Sequence, residues 1–203
     1  MKPEQFIREF GVEKAREVVE GAPDKTATHW VFRKVPNYYS VDFQSWFHDD
    51  EWWDSDCHTE QDLIDSYGEN FVVNLSDLKN LIEGMDSQIA LKFIKEWGID
   101  YSEKYIALSE SEGNILPWEL KLKRLVESLE TIESWGGIDS CRKKLSTRDE
   151  CKPNATHFAI HPEKPHLIQM YRRNEPKLES NYSFAELKKA IAIHESIYGG
   201  GDA

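Results

Sequence analysis

The sequence predicts an α+β protein made of two diverged helix–strand–strand–helix units, each with a small antiparallel sheet packed on helices. Three observations carry that expectation. A helical pattern broken by glycine occurs three times, as FIREFGVEKAREVV at 6–19, FIKEWGIDYSEKYI at 93–106 and LETIESWGGIDSCRKKL at 129–145. The first and third copies are followed by the same run, Ala-Thr-His-aromatic, at 27–30 and 155–158. Each unit then closes on a helix carrying Leu-Lys, LSDLKNLIEG at 75–84 and YSFAELKKAIAIHES at 182–196.

In the first unit, Phe6, Ile7 and Phe10 share one helical face. Gly11 ends that helix, because glycine tolerates the left-handed geometry of a C-cap, and Gly98 and Gly136 take the same role in the other copies. Val12, Ala15, Val18 and Val19 form the apolar stripe of a second short helix. Pro23 turns the chain into a strand at Thr28-His29-Trp30, and further extended runs are expected at 37–41 and 70–73. Ser76 is placed as the N-cap of the closing helix. In the second unit Pro153 precedes the strand, HPEKPH at 161–166 reads as a hairpin turn, and the return strand covers 167–171. Ser183 caps the last helix, with Glu186 completing a capping box. The expected boundaries are 1–90 and 120–198. A helical connector at 91–119 joins them, with SESEGNILPW at 109–118 as its loop, and residues 199–203 form a flexible tail.

The first unit carries an insertion at 43–68 that the second lacks, and the charge of the chain concentrates there. Residues 1–110 hold 11 Lys and Arg against 23 Asp and Glu, whereas residues 111–203 hold 14 of each, so the whole net charge of −12 lies in the first part. No basic residue occurs between Lys34 and Lys79, and eleven carboxylates lie in that gap. Such a field repels nucleic acid and anionic membrane and attracts basic surfaces. Trp46, Trp52 and Trp53 stand among the carboxylates, which a merely solvating segment would lack, and at least one of them is expected to be exposed. Aromatic anchors beside steering charges are the composition of an interface. The expected partner-binding residues are Asp49, Asp50, Glu51, Trp52, Trp53, Asp54, Asp56, Glu60 and Asp62.

Other chemistry is weaker in this sequence. No GxSxG, P-loop, GxGxxG or HExxH motif is present. His48, Cys57 and His58 lie near Asp49, Asp54 and Asp56, but an adjacent Cys-His pair presents ligands poorly to one ion, so no metal and no cofactor is expected. A small metal-dependent hydrolase or nuclease using the His, Asp and Cys residues of 48–62 is the alternative, and an oligomerising adaptor a further one. His29 and His157, at equivalent places, read as strand-start histidines pinned by local hydrogen bonds. Cys57, Cys141 and Cys151 are odd in number and lack a CxxC spacing, as reduced cytosolic thiols do. The charged N-terminus has no signal-peptide core, and no run of eighteen apolar residues would span a membrane.

FIREFGVEKAREVV and LETIESWGGIDSCRKKL resemble modules of small accessory proteins of tailed phages and prophages, over about 35 of the 203 residues. The resemblance implies a phage-encoded protein acting in the host cytosol, from a pool that includes acidic DNA mimics among anti-CRISPR and anti-restriction inhibitors. It specifies no catalytic residue. The expected function is non-enzymatic inhibition of a host defence or nucleic-acid-handling protein, through an acidic surface that competes with nucleic acid. Direct nucleic-acid or membrane binding is not expected. Unpaired strand edges and internal duplication are also compatible with a homodimer.

Overall fold

The computed structural model describes residues 1–176 and 181–199. It is an α+β fold with two small antiparallel sheets, and the chain divides into two compact units, Met1–Met85 and Asp86–Ala203.

The first unit opens with α1 (Pro3–Phe10) and α2 (Val12–Glu20) on either side of Gly11. Five strands follow: β1 (His29–Val31), β2 (Asn37–Ser40), β3 (Ser45–His48), β4 (Glu51–Asp54) and β5 (Val72–Asn74), in the order β4-β3-β2-β1-β5. Between β4 and β5 lie α3 (Glu60–Tyr67) and a 3-10 turn (Glu69–Phe71). β5 runs directly into α4 (Leu75–Glu112), which is two helical segments joined at a kink at Gly98. Side chains alternate across a strand, so the neighbours Val72 and Val73 serve opposite faces of the sheet. Val73 joins Phe6, Ala15, Val18, Leu78 and Ile82, which come from α1, α2 and the start of α4. Val72 joins Val31, Tyr39 and Leu63, the last supplied by α3. The insertion at 43–68 therefore widens the sheet by a hairpin and closes its second face with a helix.

The second unit holds α5 (Pro117–Ser134), α6 (Gly137–Cys151), β6 (His157–His161), β7 (Lys164–Tyr171), β8 (Asn181–Ser183) and α7 (Phe184–Tyr198), with sheet order β7-β6-β8. Trp135, Phe158, Phe184, Leu187 and Ile191 make one core cluster, and Ala90, Ile94, Ile106, Leu122 and Leu129 another.

The internal similarity extends to individual hydrogen bonds. Thr28 N–H donates to the Tyr39 carbonyl and Thr156 N–H to that of Tyr171, both at 2.9 Å. The carbonyls of Thr28 and Thr156 accept from Leu75 and Phe184, the first residues of the closing helices. Thr28 and Thr156 also hold the following histidine in the same way, Oγ1 to Nδ1 at 2.9 Å. Each unit has in addition a third short strand, β5 or β8, before its closing helix. This alignment moves one cap. Ser183 and Glu186 form the expected capping box, but in the first unit Asn74 accepts from Asp77 N–H (3.1 Å), and Ser76 lies inside the helix. β5 ends two residues before Ser76, and Asn caps as well as Ser.

The connecting loop is shorter than 109–118. α4 continues to Glu112, and Pro117 opens α5 at a position where its missing N–H costs nothing. Residues 200–203 of the expected tail lie outside the described residues. The glycines of the triplicated pattern all have positive φ, but only Gly136 is in the left-handed helical region (φ 91, ψ 26). Gly11 (φ 84, ψ 160) and Gly98 (φ 76, ψ 177) are in an extended region that only glycine enters readily. A Cβ at Gly98 meets no atom within 4 Å, so the cost of a side chain there is the backbone's own. Gly98→Ala is expected to lower unfolding free energy by about 1–3 kcal/mol in chemical denaturation.

Candidate interaction site on the acidic hairpin

β3 and β4 pair in the register Ser45↔Asp54, Trp46↔Trp53, Phe47↔Trp52 and His48↔Glu51. Only Asp49 and Asp50 remain for the turn. Both have positive φ (48 and 62), as the central residues of a type I′ hairpin turn require. Two aspartates at the tip tolerate that geometry better than most residues. The turn projects both carboxylates into solvent, and Glu51, Asp54 and Asp56 are exposed as well.

The pairing sorts the aromatic rings onto two faces. Phe47 and Trp52 lie on one, with ring centroids 5.3 Å apart, and the Trp52 indole donates to Asp24 Oδ2 at 3.3 Å. Trp52 is half-buried by that contact. Trp46 and Trp53 lie on the other. Trp46 packs on Tyr39 and Tyr67, with centroids at 4.7 and 5.3 Å. Trp53 is the exposed tryptophan of the three, at 57%. Its indole N–H donates to the His48 carbonyl at 3.2 Å, which fixes the ring although it stands in solvent.

The remaining expected contact residues have structural partners. Asp62 is the N3 residue of α3: its carboxylate accepts from the His58 and Thr59 N–H groups, both at 2.9 Å, and Thr59 Oγ1 accepts from Asp62 N–H. Those bonds hold the Asp62 carboxyl below its usual pKa, the His58 N–H most strongly. Glu60 opens the same helix, and its Oε1 lies 3.4 Å from His29 Nε2. Asp49, Asp50, Glu51, Trp53, Asp54 and Asp56 face solvent on or beside the hairpin, Glu60 is exposed too but on α3, and Trp52 and Asp62 help to hold the structure.

The suspected metal ligands do not meet. His48 Nδ1 sits 3.3 Å from Asp49 at the tip, His58 Nδ1 donates to Gln44 Oε1 at 2.8 Å, and Cys57 is buried with its sulfur 3.8 Å from Ser66 Oγ. Among the described residues no three His, Cys, Asp or Glu side chains are grouped to hold an ion. The hydroxyl of Tyr39 donates to the Cys57 carbonyl, which anchors the end of the hairpin to the sheet.

His29 is pinned in the way the sequence implies. It is 3% exposed. Its Nε2 lies 3.4 Å from both Asn74 Nδ2 and Glu60 Oε1, and its Nδ1 lies 2.9 Å from Thr28 Oγ1, whose hydroxyl donates to the Tyr39 carbonyl. Burial lowers its pKa, and Glu60 opposes that only in part. A histidine with a lowered folded-state pKa contributes stability that is complete above its unfolded pKa of about 6.5 and is lost as pH falls below it. Melting temperature is therefore expected to decline as pH falls below about 6.5. His29→Gln should flatten that part of the profile, and an unchanged slope would remove His29 as its cause.

The sequence reading did not include Trp46, Tyr67, Val35 and Asn37 in the site. With Val31, His48 and Trp53 they line a cavity of about 430 Å³ beside the hairpin. The signal was present in SWF-HDDE-WWD: aromatic strands separated by a two-residue acidic turn place Trp46 opposite Trp53. Among the described residues no helix is long and apolar enough to cross a membrane. Compared with known proteins, the chain matches no family model, no curated protein and no solved structure.

Proposed function

We propose that this chain is a non-enzymatic, phage-encoded inhibitor acting in the host cytosol. In this reading the hairpin Ser45–Asp54 docks on the basic surface of a host defence or nucleic-acid-handling protein and competes there with nucleic acid. One observation carries it. Five exposed carboxylates, from Asp49, Asp50, Glu51, Asp54 and Asp56, sit on or beside a hairpin braced by packed aromatic rings, in a stretch free of Lys and Arg. Fixed carboxylates on a rigid strand pair offer a basic groove what a phosphate backbone offers it, and they pay little ordering entropy on binding. Trp53, exposed at the centre of the charges, supplies short-range burial. Of the net charge of −12, the first unit carries −10 (8 Lys and Arg against 18 Asp and Glu) and the second only −2, so the contact is assigned to the first.

The test immobilises the intact chain, passes a bacterial lysate over it, and challenges the captured proteins with excess duplex DNA and with salt. The reading expects a nucleic-acid-binding protein that DNA displaces and that elutes as salt rises. Capture that survives both challenges would sink it.

A further inference from the structure

We propose that the cavity behind Trp53 receives the guanidinium of an arginine side chain from the partner. The proposal rests on the reading of the hairpin as a docking surface and names the chemical group that anchors there.

The walls are aromatic and already in place. Trp46 and Trp53 face each other across β3 and β4, and His48 is next on that face, two residues along from Trp46. Tyr67 of α3 closes another side, and Val31, 2% exposed, lies beneath. Tyr39 and Tyr67 pack against the Trp46 ring, and the bond to the His48 carbonyl fixes Trp53. Rings set before a ligand arrives lose no rotamer freedom when it binds. At about 430 Å³ the space is within the range of small-ligand pockets.

Its surroundings select a cation. Asp49, Asp50 and Glu51 stand at the tip of the same hairpin, Glu51 directly opposite His48. The nearest basic residues in sequence do not line the space. Arg33 is already engaged, its Nη1 donating to the Tyr67 carbonyl at 3.1 Å and its guanidinium 5.7 Å from the Phe71 ring centre, and Lys34 is exposed. A cation over the face of tryptophan gains from the ring quadrupole, and carboxylates nearby add to that. Arginine fits better than lysine, because a planar, weakly hydrated guanidinium stacks on aromatic faces. Basic nucleic-acid grooves are where such arginines project.

The experiment uses the full chain and three probes: N-acetyl-arginine amide, its neutral isostere N-acetyl-citrulline amide, and N-acetyl-lysine amide. The indole N–H resonances of Trp46 and Trp53 are followed by NMR through each titration. The arginine probe should shift both with a Kd on the order of millimolar, citrulline should shift neither, and lysine should bind several-fold more weakly. Trp53→Ala, at a surface position, should weaken the arginine probe at least about tenfold with no change in melting temperature. Equal shifts by citrulline and arginine, or none by either, would overturn the proposal. If the arginine probe binds but no nucleic-acid-binding protein is captured, the cavity assignment stands and the competitor reading falls. If capture occurs, survives Trp53→Ala and no probe binds, the reverse holds.

Discussion

Replacing Asp49, Asp50, Asp54 and Asp56 by Asn and Glu51 by Gln is expected to weaken capture of the partner by at least about 100-fold while leaving the melting temperature equal or slightly higher. The two parts of that expectation have different origins. Capture falls because each removed charge lowers both the steering of encounter and the short-range pairing with a basic groove. Stability is spared because these five side chains face solvent, and because Asn accepts the positive φ of the type I′ turn at 49 and 50 at least as well as Asp does. Five like charges on one hairpin also repel one another, so neutralising them relieves the folded state. Asp62 and Glu60 are left unchanged in this variant, since the first caps α3 and the second neighbours the buried His29. Salt provides a control. From about 0.1 M to about 1 M the Debye length contracts from roughly 10 Å to roughly 3 Å, and capture by the intact chain should fall steeply. The neutralised variant should show a much shallower slope. A variant that keeps its affinity would show that the hairpin charges are not the contact.

The parts of this molecule that were legible in the sequence are those with local causes. The glycine-broken helices, the Thr-His strand starts and the Ser183–Glu186 cap follow from residue types at fixed short spacings. Internal duplication made them stronger, because one unit served as the control for the other. Where a serine and an asparagine competed for one cap, the outcome depended on where β5 ended, and that is set by pairing with β1 rather than by the local sequence. The candidate site was legible as a charge pattern and not as a shape. Nothing local says that Asp62 folds back on its own helix while Asp56 stays in solvent, or that Trp52 and Trp53, adjacent in sequence, are divided between two faces. That division follows from the strand register, which also places Tyr67, fourteen residues beyond Trp53, against Trp46. Buried polar groups were the hardest to foresee. Glu119 reads as a first-turn acid on an exposed helix, yet it is 3% exposed, accepts from Tyr105 (2.8 Å) and Ser109 (3.2 Å), and caps α5 through Leu116 N–H.

Lys144 is the clearest such case, and its removal should produce the largest loss of stability outside the apolar core. In IDSCRKKLSTRDE it reads as one charge of a solvated helical face, but it is 2% exposed. Its ammonium donates to the Trp135 carbonyl at 2.7 Å and to Ser140 Oγ at 2.6 Å. Trp135 is the C-cap of α5, so the lysine satisfies a carbonyl at the negative end of that helix and ties α6 to it. The same tryptophan packs edge-on against Phe158 and Tyr182, which extends the tie into the core. Lys144→Ala removes the stem and the donor together, and should cost about 2–4 kcal/mol in chemical denaturation. Lys144→Met keeps the stem, frees the site of a buried charge and loses only the donor, so it should cost less than half as much. A pH series separates the charge from the packing. Burial lowers the Lys144 pKa, so the folded state releases its proton before the unfolded state does, and stability should rise as pH climbs from the folded-state value toward about 10.4. The Met variant should lack that rise. If Ala and Met are equally damaging, the carbonyl contact rather than the filled volume is what the lysine supplies. If neither destabilises, the lysine is not what fastens α6 to the end of α5.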